Sequence, residues 1–272
     1  MLVVVGTPIG NLGDLSPRAV QALADADVIA CEDTRHTRKL LTAAGITGPR
    51  LRAVHEHNEA EQAQRIVELV RAGQRVALVT DAGMPAVSDP GARVVAAVAA
   101  ADLPLVVVPG PSAALAALVV SGLPTERFVF EGFLPRKGAD RKARLAVLAA
   151  EPRTVVLYEA PHRVAATVAD LAEGCGPDRR IALARELTKL HEGVWRGTLA
   201  EAVVHLDEVE PRGEHVLVLE GAPPPAPATE DDVTAALRRR LDAGDDKKRA
   251  VATVATELGV PKRRVYAAAL DL

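Results

Sequence analysis

The sequence predicts an α/β protein with two lobes and a small helical domain after them. Over residues 1–112, short apolar and β-branched runs alternate with amphipathic helical patterns. Such alternation is typical of helices packed on a mainly parallel sheet. A second series of the same kind covers residues 113–221, and a proline-rich stretch then precedes three short helical patterns. We therefore expect two α/β lobes, a linker and a helical tail.

The strands of both lobes are predicted from the apolar runs. These runs lie at 2–5, 28–30, 51–54, 76–80 and 105–109 in the first lobe, and at 127–133, 154–160, 180–186 and 214–221 in the second. The helices between them carry terminal signals. Ser16 before Pro17 indicates a helix start, because serine caps free N–H groups and proline suits the first helical position. Gly73 marks the end of the helical stretch that starts at Asn58.

The end of the chain is predicted to be a spacer followed by a helix-turn-helix-like domain. Residues 222–230 contain four prolines, which suits an extended linker. Within residues 231–272, Ala255, Gly259 and Val265 have the spacing of a helix-turn-helix, in which a small residue allows close helix packing and glycine makes the turn. Basic residues flank that turn. A three-helix cap with a solvated basic face is the alternative.

The composition limits the classes of partner and location. A formal net charge of -3 predicts no global attraction to nucleic acid, so a polyanionic partner would need a local basic patch. Cys31 and Cys175 are the only cysteines and have no paired spacing, which predicts neither a disulfide framework nor a zinc cluster and favours a reducing, cytoplasmic setting. No basic leader or long apolar run is present, so we expect a soluble protein.

The glycine-rich loop after the first strand does not match a nucleotide-binding motif. Its glycines, in "GTPIGNLGD" at 6–14, are spaced G-x3-G-x2-G, unlike the dinucleotide fingerprint. Glu32 and Asp33 end the second strand, where a ribose ligand would lie in such a fold. However, Pro8 removes an N–H group that a phosphate cradle would use. An NAD-dependent enzyme is therefore disfavoured, and the glycines could simply make a tight turn.

Two other constellations allow a chemical and a structural interpretation. Gly110, Ser112 and Ala114 resemble the nucleophile elbow of a hydrolase, with partners in a suitable chain order at Asp170 or Asp207 and His191 or His215. Alanine replaces the elbow's last glycine, and Ser112 could equally cap the next helix. His55 and His57 alternate on one strand face, but no third ligand accompanies them at metal spacing. No metal site is predicted.

The stretch "VALVTDAGMPAVSDPG", residues 76–91, raises the question of ligand binding most directly. A buried-looking strand ends there in acidic, glycine and proline residues before the chain becomes helical again. Proline fixes φ and glycine permits backbone conformations that other residues avoid, and loops of this composition are often shaped to hold a ligand. We therefore expect a binding loop at this strand end.

Several motifs in order carry a resemblance to a known family. They are "GTPIGNLGD", "EDTRHTRKLL", "VTDAGMPAVSDPG", "VVPGPSA", "FEGFLPRKG", "YEAPHR" and "RELTKLHE". This series closely resembles the ribosomal small-subunit RNA methyltransferase I family of the tetrapyrrole methylase superfamily, and the likeness covers nearly the whole chain. It implies two α/β lobes of the tetrapyrrole methylase, or class III methyltransferase, type, usually as a homodimer. It also implies S-adenosyl-L-methionine as cofactor and a 2'-O-methylated cytidine in the decoding region of 16S rRNA as product.

The resemblance also implies site residues. The cofactor loop would be Asp81, Ala82, Gly83, Met84 and Pro85, with other first-lobe positions at Pro8, Ser112 and Ala113, and second-lobe positions at Tyr158, Ala184 and His215. Small residues there would let backbone groups approach the cofactor. Asp33 and Glu159 stand at strand ends as candidates for the base that takes the 2'-hydroxyl proton. Either carboxylate could instead cap a helix or form an ion pair.

Contacts to ribosomal RNA, as naked 16S rRNA or as the small subunit, are expected from basic residues in the motifs and the tail: Arg35, Arg38, Arg136, Lys137, Arg163, Lys189 and Arg263. Each could instead be a solvated surface charge. With few aromatic residues, backbone and shape contacts should dominate over base stacking. Two other classes remain open: a small-molecule methylase of the tetrapyrrole type, which leaves the basic tail unexplained, and a non-catalytic nucleic-acid-binding protein, which leaves the first 221 residues unexplained.

Overall fold

The computed structural model describes residues 1–224, 227–270 and 272 of the chain. These residues form two units, Met1–Ala222 and Pro223–Leu272. The predicted linker at 222–230 begins at this division, and its residues Pro225 and Ala226 lie outside the described residues, as does Asp271 of the predicted helical domain.

The first unit begins with a five-stranded parallel sheet in the order β3-β2-β4-β1-β5. Its strands are β1 (Leu2–Val5), β2 (Val28–Cys31), β3 (Arg50–Ala53), β4 (Val76–Leu78) and β5 (Leu105–Val108). They coincide closely with the first five predicted runs. Because every strand runs in the same direction, the loops that follow β1, β2, β4 and β5 all lie at one edge, where ligands bind in open α/β sheets.

Helices cover both faces of this sheet. They are α1 (Pro17–Ala24), α2 (Thr34–Ala43), α3 (Glu59–Arg71) and α4 (Ala92–Ala100), with a short 3-10 turn at Leu12–Asp14. The Ser16 side chain accepts a hydrogen bond from the N–H of Ala19 and so caps α1 as predicted. Side chains of β1 alternate between two buried clusters, because successive residues of a strand point to opposite faces.

The second sheet has the order β6-β7-β10-β8-β9 and is mixed. Its strands are β6 (Phe128–Phe133), β7 (Thr154–Glu159), β8 (Arg180–Arg185), β9 (Gly193–Thr198) and β10 (His215–Leu219), and its helices are α6 (Gly138–Ala150), α7 (Pro161–Cys175) and α8 (Leu199–Glu208). Only β6 and β7 pair in parallel. The edge strand β9 was not predicted, because its sequence "GVWRGT" contains two glycines, which weaken a strand pattern.

A helix with one buried face connects the two sheets. The helix α5 (Ala113–Ser121) follows β5 directly but packs on the second sheet. Its side chains Ala117 and Leu118 share a buried cluster with Val156 and Val216 of that sheet and with Ile9 of the glycine-rich loop after β1. The first unit therefore has apolar side chains from both lobes in one cluster.

The second unit contains three helices: α9 (Glu230–Asp242), α10 (Lys247–Glu257) and α11 (Lys262–Leu270). Their apolar faces form a small core that includes Leu237, Val254 and Val265. Gly259 lies in the turn between α10 and α11 with φ of +62°, a left-handed conformation that favours glycine. This agrees with the glycine turn predicted there. No helix in the described part of either unit is long and apolar enough to cross a membrane.

Candidate functional site

The candidate site is a cavity of about 730 Å³ in the first unit. It lies where the carboxyl-end loops of the first sheet meet the second sheet. Its lining comes from the loops after β1, β4 and β5, the start of α5, and residues of β6, β7, β8 and β10. The volume is in the range of small-molecule and cofactor sites, and the lining is mostly apolar with a few polar groups, as such sites usually are.

The wall of the cavity depends on a close approach of two glycines. A Cβ atom on Gly6 would lie 2.6 Å from the Cα and N atoms of Gly110, so the loops after β1 and β5 touch through their backbones. The next residue, Thr7, exchanges backbone hydrogen bonds with Gly83, of 2.9 and 3.2 Å. These contacts fix three strand-end loops against one another, and Gly83 and Gly110 both line the cavity.

The predicted binding loop after β4 has an unusual backbone. Ala86 and Ser88 have φ of +69° and +61°, which is uncommon for residues that carry a side chain. The loop is held at its far end by Glu59 of α3, a buried carboxylate whose Oε1 accepts hydrogen bonds of 2.8 Å from the N–H groups of both Gly91 and Arg93. The strained conformation is thus maintained by a contact from another helix.

Most residues that the resemblance implies for the cofactor line this cavity. They are Ala82, Gly83, Met84, Ser112, Ala113, Tyr158, Ala184 and His215. Pro8 and Pro85 are buried beside it and are not part of its lining. Asp81 points elsewhere: its carboxylate accepts a hydrogen bond from the N–H of Asp33 at 3.2 Å and lies 3.4 Å from Nδ1 of His36. The cofactor roles stay predictions for all of these residues.

Two side chains of the second lobe have environments that fix their protonation. Tyr158 packs edge-on against Phe130 and Phe133, with ring centroids 5.0 and 5.6 Å apart, and burial raises the pKa of its phenol. Burial lowers the pKa of His215, whose Nδ1 lies 3.0 Å from the carbonyl oxygen of Gly213. Both are therefore neutral at physiological pH and can only exchange uncharged hydrogen bonds with a ligand.

Glu159, a candidate base, lines the cavity but is fully engaged. The residue is 2% exposed, and its carboxylate accepts hydrogen bonds from Thr167 Oγ1 at 2.6 Å and from the N–H of Ala160 at 3.0 Å. It also lies 3.2 Å from Nε of Arg163. A carboxylate with these partners anchors the start of α7 and is not available as a general base.

Asp33, the other candidate base, caps α2 and is not part of the cavity lining. Its carboxylate accepts a 2.7 Å hydrogen bond from the N–H of Arg35 and pairs with that guanidinium at 2.9 Å. Hydrogen bonds to the Arg35 side chain lower the pKa of Asp33 to about 2. A carboxylate of such low pKa is a poor proton acceptor at neutral pH.

The sequence analysis missed a third acid, Asp89, which lies in the strained loop and lines the cavity. Burial, opposed by a side-chain hydrogen bond with Thr80 and reinforced by nearby carboxylates, raises the pKa of Asp89 to about 6. The available signal was its position in "SDPG", the last part of the loop already selected as a binding loop. Its burial, however, depends on residues far away in the chain.

The basic residues expected to contact RNA fall into two groups. Three of them are engaged within the protein: Arg35 pairs with Asp33, Arg163 with Glu159, and Lys189 with Glu186 and Glu214. The Arg163 side chain is only 19% exposed and also donates to the carbonyl oxygen of Leu134. The others are exposed to solvent: Arg38, Arg136 and Lys137 in the first unit and Arg263 in the second.

The alternative constellations have structural explanations. The Ser112 hydroxyl accepts a hydrogen bond from the N–H of Leu115 at 3.5 Å and so caps α5. The rings of His55 and His57 lie 6.0 Å apart in an edge arrangement. Among the described residues, no group of three or more His, Cys, Asp or Glu side chains is placed to hold a metal ion.

Comparison with known proteins identifies close relatives. The family model of the Tetrapyrrole (Corrin/Porphyrin) Methylases matches residues 1–203. The chain is 46% identical to the ribosomal RNA small subunit methyltransferase I of Synechocystis sp., over all of this chain and 98% of that protein. It is 44% identical to the protein of the same name from Pseudomonas aeruginosa, over 99% and 96% of the two chains.

Among solved structures, the fold is similar to that of a uroporphyrin-III C-methyltransferase from Thermus thermophilus complexed with S-adenosylhomocysteine. The TM-score is 0.55 at 23% identity, and the match covers 80% of this chain and 96% of that one. The parallel sheet and the mixed sheet described above therefore have the same fold as that methylase.

Proposed function

The chain belongs to the ribosomal RNA small subunit methyltransferase I family of tetrapyrrole methylases, and on that premise we propose that it methylates the 2'-oxygen of a cytidine in the decoding region of 16S rRNA. At the coarser level it is an S-adenosylmethionine-dependent methyltransferase of ribosomal RNA, as the names and fold of its relatives indicate. Its proposed place of action is the cytoplasm, where small ribosomal subunits are available.

One observation carries the choice of RNA over a small-molecule substrate. The methylase family model ends at residue 203, and the uroporphyrin methylase structure covers only 80% of the chain. The rRNA methyltransferase relatives from Synechocystis sp. and Pseudomonas aeruginosa instead match 99–100% of it, including the helical second unit, whereas other relatives of that name match 81%. The second unit thus has a counterpart in several of the rRNA enzymes, and its exposed Arg263 and neighbouring basic residues suit contact with a polyanion.

The cavity fits S-adenosylmethionine. A nucleoside joined to an amino acid needs a mostly apolar site in which backbone groups can come close, and the glycines at 83 and 110 leave that room. The backbone of Ala82–Met84 and of Ser112–Ala113, with Ala184 and His215 opposite, would hold it. The bound cofactor supplies a methyl group on a positively charged sulfur, already activated for transfer.

The protein's own contribution is orientation and a proton acceptor. The three interlocked strand-end loops fix the cavity wall, so that a ribose oxygen can be aligned with the methyl group, and alignment supplies much of the rate in such transfers. The 2'-hydroxyl must also lose its proton, which requires a basic group within hydrogen-bond reach. In the lining, the groups that can accept a proton are the carboxylates and the neutral imidazole of His215, whereas the phenol of Tyr158 is already protonated.

The RNA would be bound by local patches of positive charge, because the net charge of the protein is negative. Arg38 on α2 and Arg136 and Lys137 before α6 are exposed and free of the ion pairs that hold Arg163 and Lys189. Such groups contact phosphates and give binding that weakens with salt. We expect the substrate to be a structured ribosomal particle, on which several weak contacts add together.

A homodimer is part of the proposal. Exposed apolar side chains occur on the edge strand β5 and on α5 immediately after it, with Val107 53% and Val119 74% exposed. Large exposed apolar side chains on neighbouring elements are a common feature of subunit interfaces. Val119→Glu should convert a dimer to a monomer in light scattering, whereas a monomeric wild-type protein would remove this part of the proposal.

The test of function is methyl transfer from labelled S-adenosylmethionine. The purified protein is given small ribosomal subunits, naked 16S rRNA or uroporphyrinogen III, and the labelled product is identified by mass spectrometry. Label in 2'-O-methylcytidine of the decoding region supports the proposal and shows which RNA state is used. Label only in uroporphyrinogen would assign the protein to small-molecule methylation, and a chain ending at Ala222 should then retain full activity.

A further inference from the structure

We propose that Asp89 is the catalytic base of this cavity, whose carboxylate takes the proton of the ribose 2'-hydroxyl. This inference rests on the proposed function. In the step, the O–H bond breaks and its proton passes to Asp89, while the oxygen forms a bond to the methyl carbon. The carbon–sulfur bond breaks with its electron pair remaining on sulfur, so the positive charge of the sulfonium disappears as Asp89 becomes neutral.

The position of Asp89 is the first support. It is one of the cavity-lining residues, and it directly follows Ser88, which has φ of +61°. Two residues later, the N–H of Gly91 is fixed by the buried carboxylate of Glu59. Backbone strain that is maintained by outside contacts clusters at functional sites, because it holds a side chain in one place. The loop therefore presents Asp89 to the cavity in a fixed position.

The surroundings of Asp89 are the second support. Three carboxylates lie near enough to interact with its charge: Glu32 after β2, Asp81 after β4 and Glu214 before β10. The Thr80 hydroxyl, which donates to Glu32 at 3.1 Å, is also close to Asp89. These charges and burial raise the pKa of Asp89 to about 6, so that it is ionised at neutral pH yet binds a proton more readily than an exposed aspartate.

The other acids in or near the cavity are less suitable. Glu159 is committed to Thr167, Ala160 and Arg163, and Asp33 lies outside the lining. Glu214 lines the cavity, but its carboxylate pairs with Lys189 at 2.8 Å and its side chain is 76% exposed. Asp89 alone among the described acids combines access to the cavity with partial burial and no cationic partner.

The experiment compares Asp89→Asn with wild type and with Asp102→Asn. Asp102 carries the same group in the same lobe, but it is exposed and precedes β5 at the opposite edge of the sheet. Three quantities are measured: the Kd of S-adenosylmethionine by calorimetry, the single-turnover rate of methyl transfer to small subunits against pH, and Tm against pH. Asp89→Glu is included as a second variant, since it keeps a carboxylate in the same loop.

For Asp89→Asn we expect a Kd within about threefold of wild type and a rate lowered by about 10²–10⁴-fold, the usual contribution of a general base. The wild-type rate should rise with pH around 6, and Asp89→Glu should recover part of the activity lost in Asp89→Asn. We also expect the Tm difference between wild type and Asp89→Asn to change with pH. As pH rises from about 4 to about 6, the Tm of wild type should fall relative to that of the variant, because the Asp89 carboxyl keeps its proton in the folded protein and loses it in the unfolded chain. Asp102→Asn should match wild type in all three quantities.

Asp89→Asn with a rate near wild type would overturn the inference, and an equal loss of cofactor affinity and rate would reassign Asp89 to cofactor binding. A wild-type protein that methylates no RNA would overturn the proposed function, and the assignment of the base would fall with it. The two failures are distinguishable because the Tm comparison reports on the carboxyl group of Asp89 without any methyl transfer.

Discussion

Replacing Gly6 by alanine should damage the cavity without removing any side chain from it. The added Cβ would lie 2.6 Å from Cα and N of Gly110 and 2.7 Å from Sδ of Met84. Non-bonded heavy atoms prefer separations of about 3.5–4.0 Å. The methionine side chain can turn away, but the backbone of Gly110 cannot, so the loops after β1 and β5 must separate by about 1 Å.

This displacement has two measurable costs. Forcing a methyl group into a packed region typically costs about 1–3 kcal/mol of stability. The loops that move carry the cavity lining at Gly83 and Gly110, so the affinity for S-adenosylmethionine should fall by about tenfold or more, which corresponds to about 1.4 kcal/mol. Urea unfolding measures the first cost and calorimetric titration with S-adenosylmethionine measures the second.

Gly174→Ala is the matched control. Gly174 lies in α7, and no heavy atom lies within 4 Å of the position its Cβ would take. Alanine there should leave the affinity unchanged and stabilise the helix by about 0.5–1 kcal/mol. If Gly6→Ala also bound S-adenosylmethionine with wild-type affinity and lost less than about 0.5 kcal/mol of stability, the glycine contact would not be what shapes the cavity.

Three further outcomes follow from the structure. Glu59→Ala should lower the free energy of unfolding by about 2–4 kcal/mol, since the N–H groups of Gly91 and Arg93 lose a charged acceptor. Glu59→Gln should lower it less, and equal decreases for the two variants in urea melts would contradict this. Because the pKa of His215 is lowered in the folded state, stability should decrease as pH falls below 6.5, and His215→Gln should weaken that dependence in melts recorded against pH. Substituting Arg136 and Lys137 together by alanine should weaken binding to small subunits and reduce its salt slope by about 2, with no change in cofactor affinity; an unchanged slope would exclude phosphate contacts there.

The sequence is sufficient to predict most of the architecture because its strand and helix patterns are local. The apolar runs and the Ser16 cap depend on neighbouring residues, and the structure has elements at each of them. Strand pairing is different, since it depends on long-range packing. The antiparallel arrangement around β10 and the glycine-containing edge strand β9 were therefore not predicted.

The candidate site is predictable to a similar extent. The loop after β4 was selected from its glycines and prolines, and it does line the cavity. The surroundings of Asp89 and Lys189 include partners distant in the chain. Lys189, for example, is paired with Glu214, which is 25 positions away, and the carboxylates that act on Asp89 come from both lobes. No local pattern carries that information.

The helix α5 has a consequence for how the first unit folds and unfolds. It leaves the parallel sheet at β5, yet its buried side chains belong to the cluster of the mixed sheet, which also contains Ile9 from the other lobe. A chain divided after residue 112 would leave α5 on the mixed sheet but would separate Ile9 from its neighbours in this cluster. The lobes should therefore behave as a single cooperative unit, melting in one transition, with neither half folding independently. The cleft between them is then a built-in feature of one folded body, present before any ligand arrives.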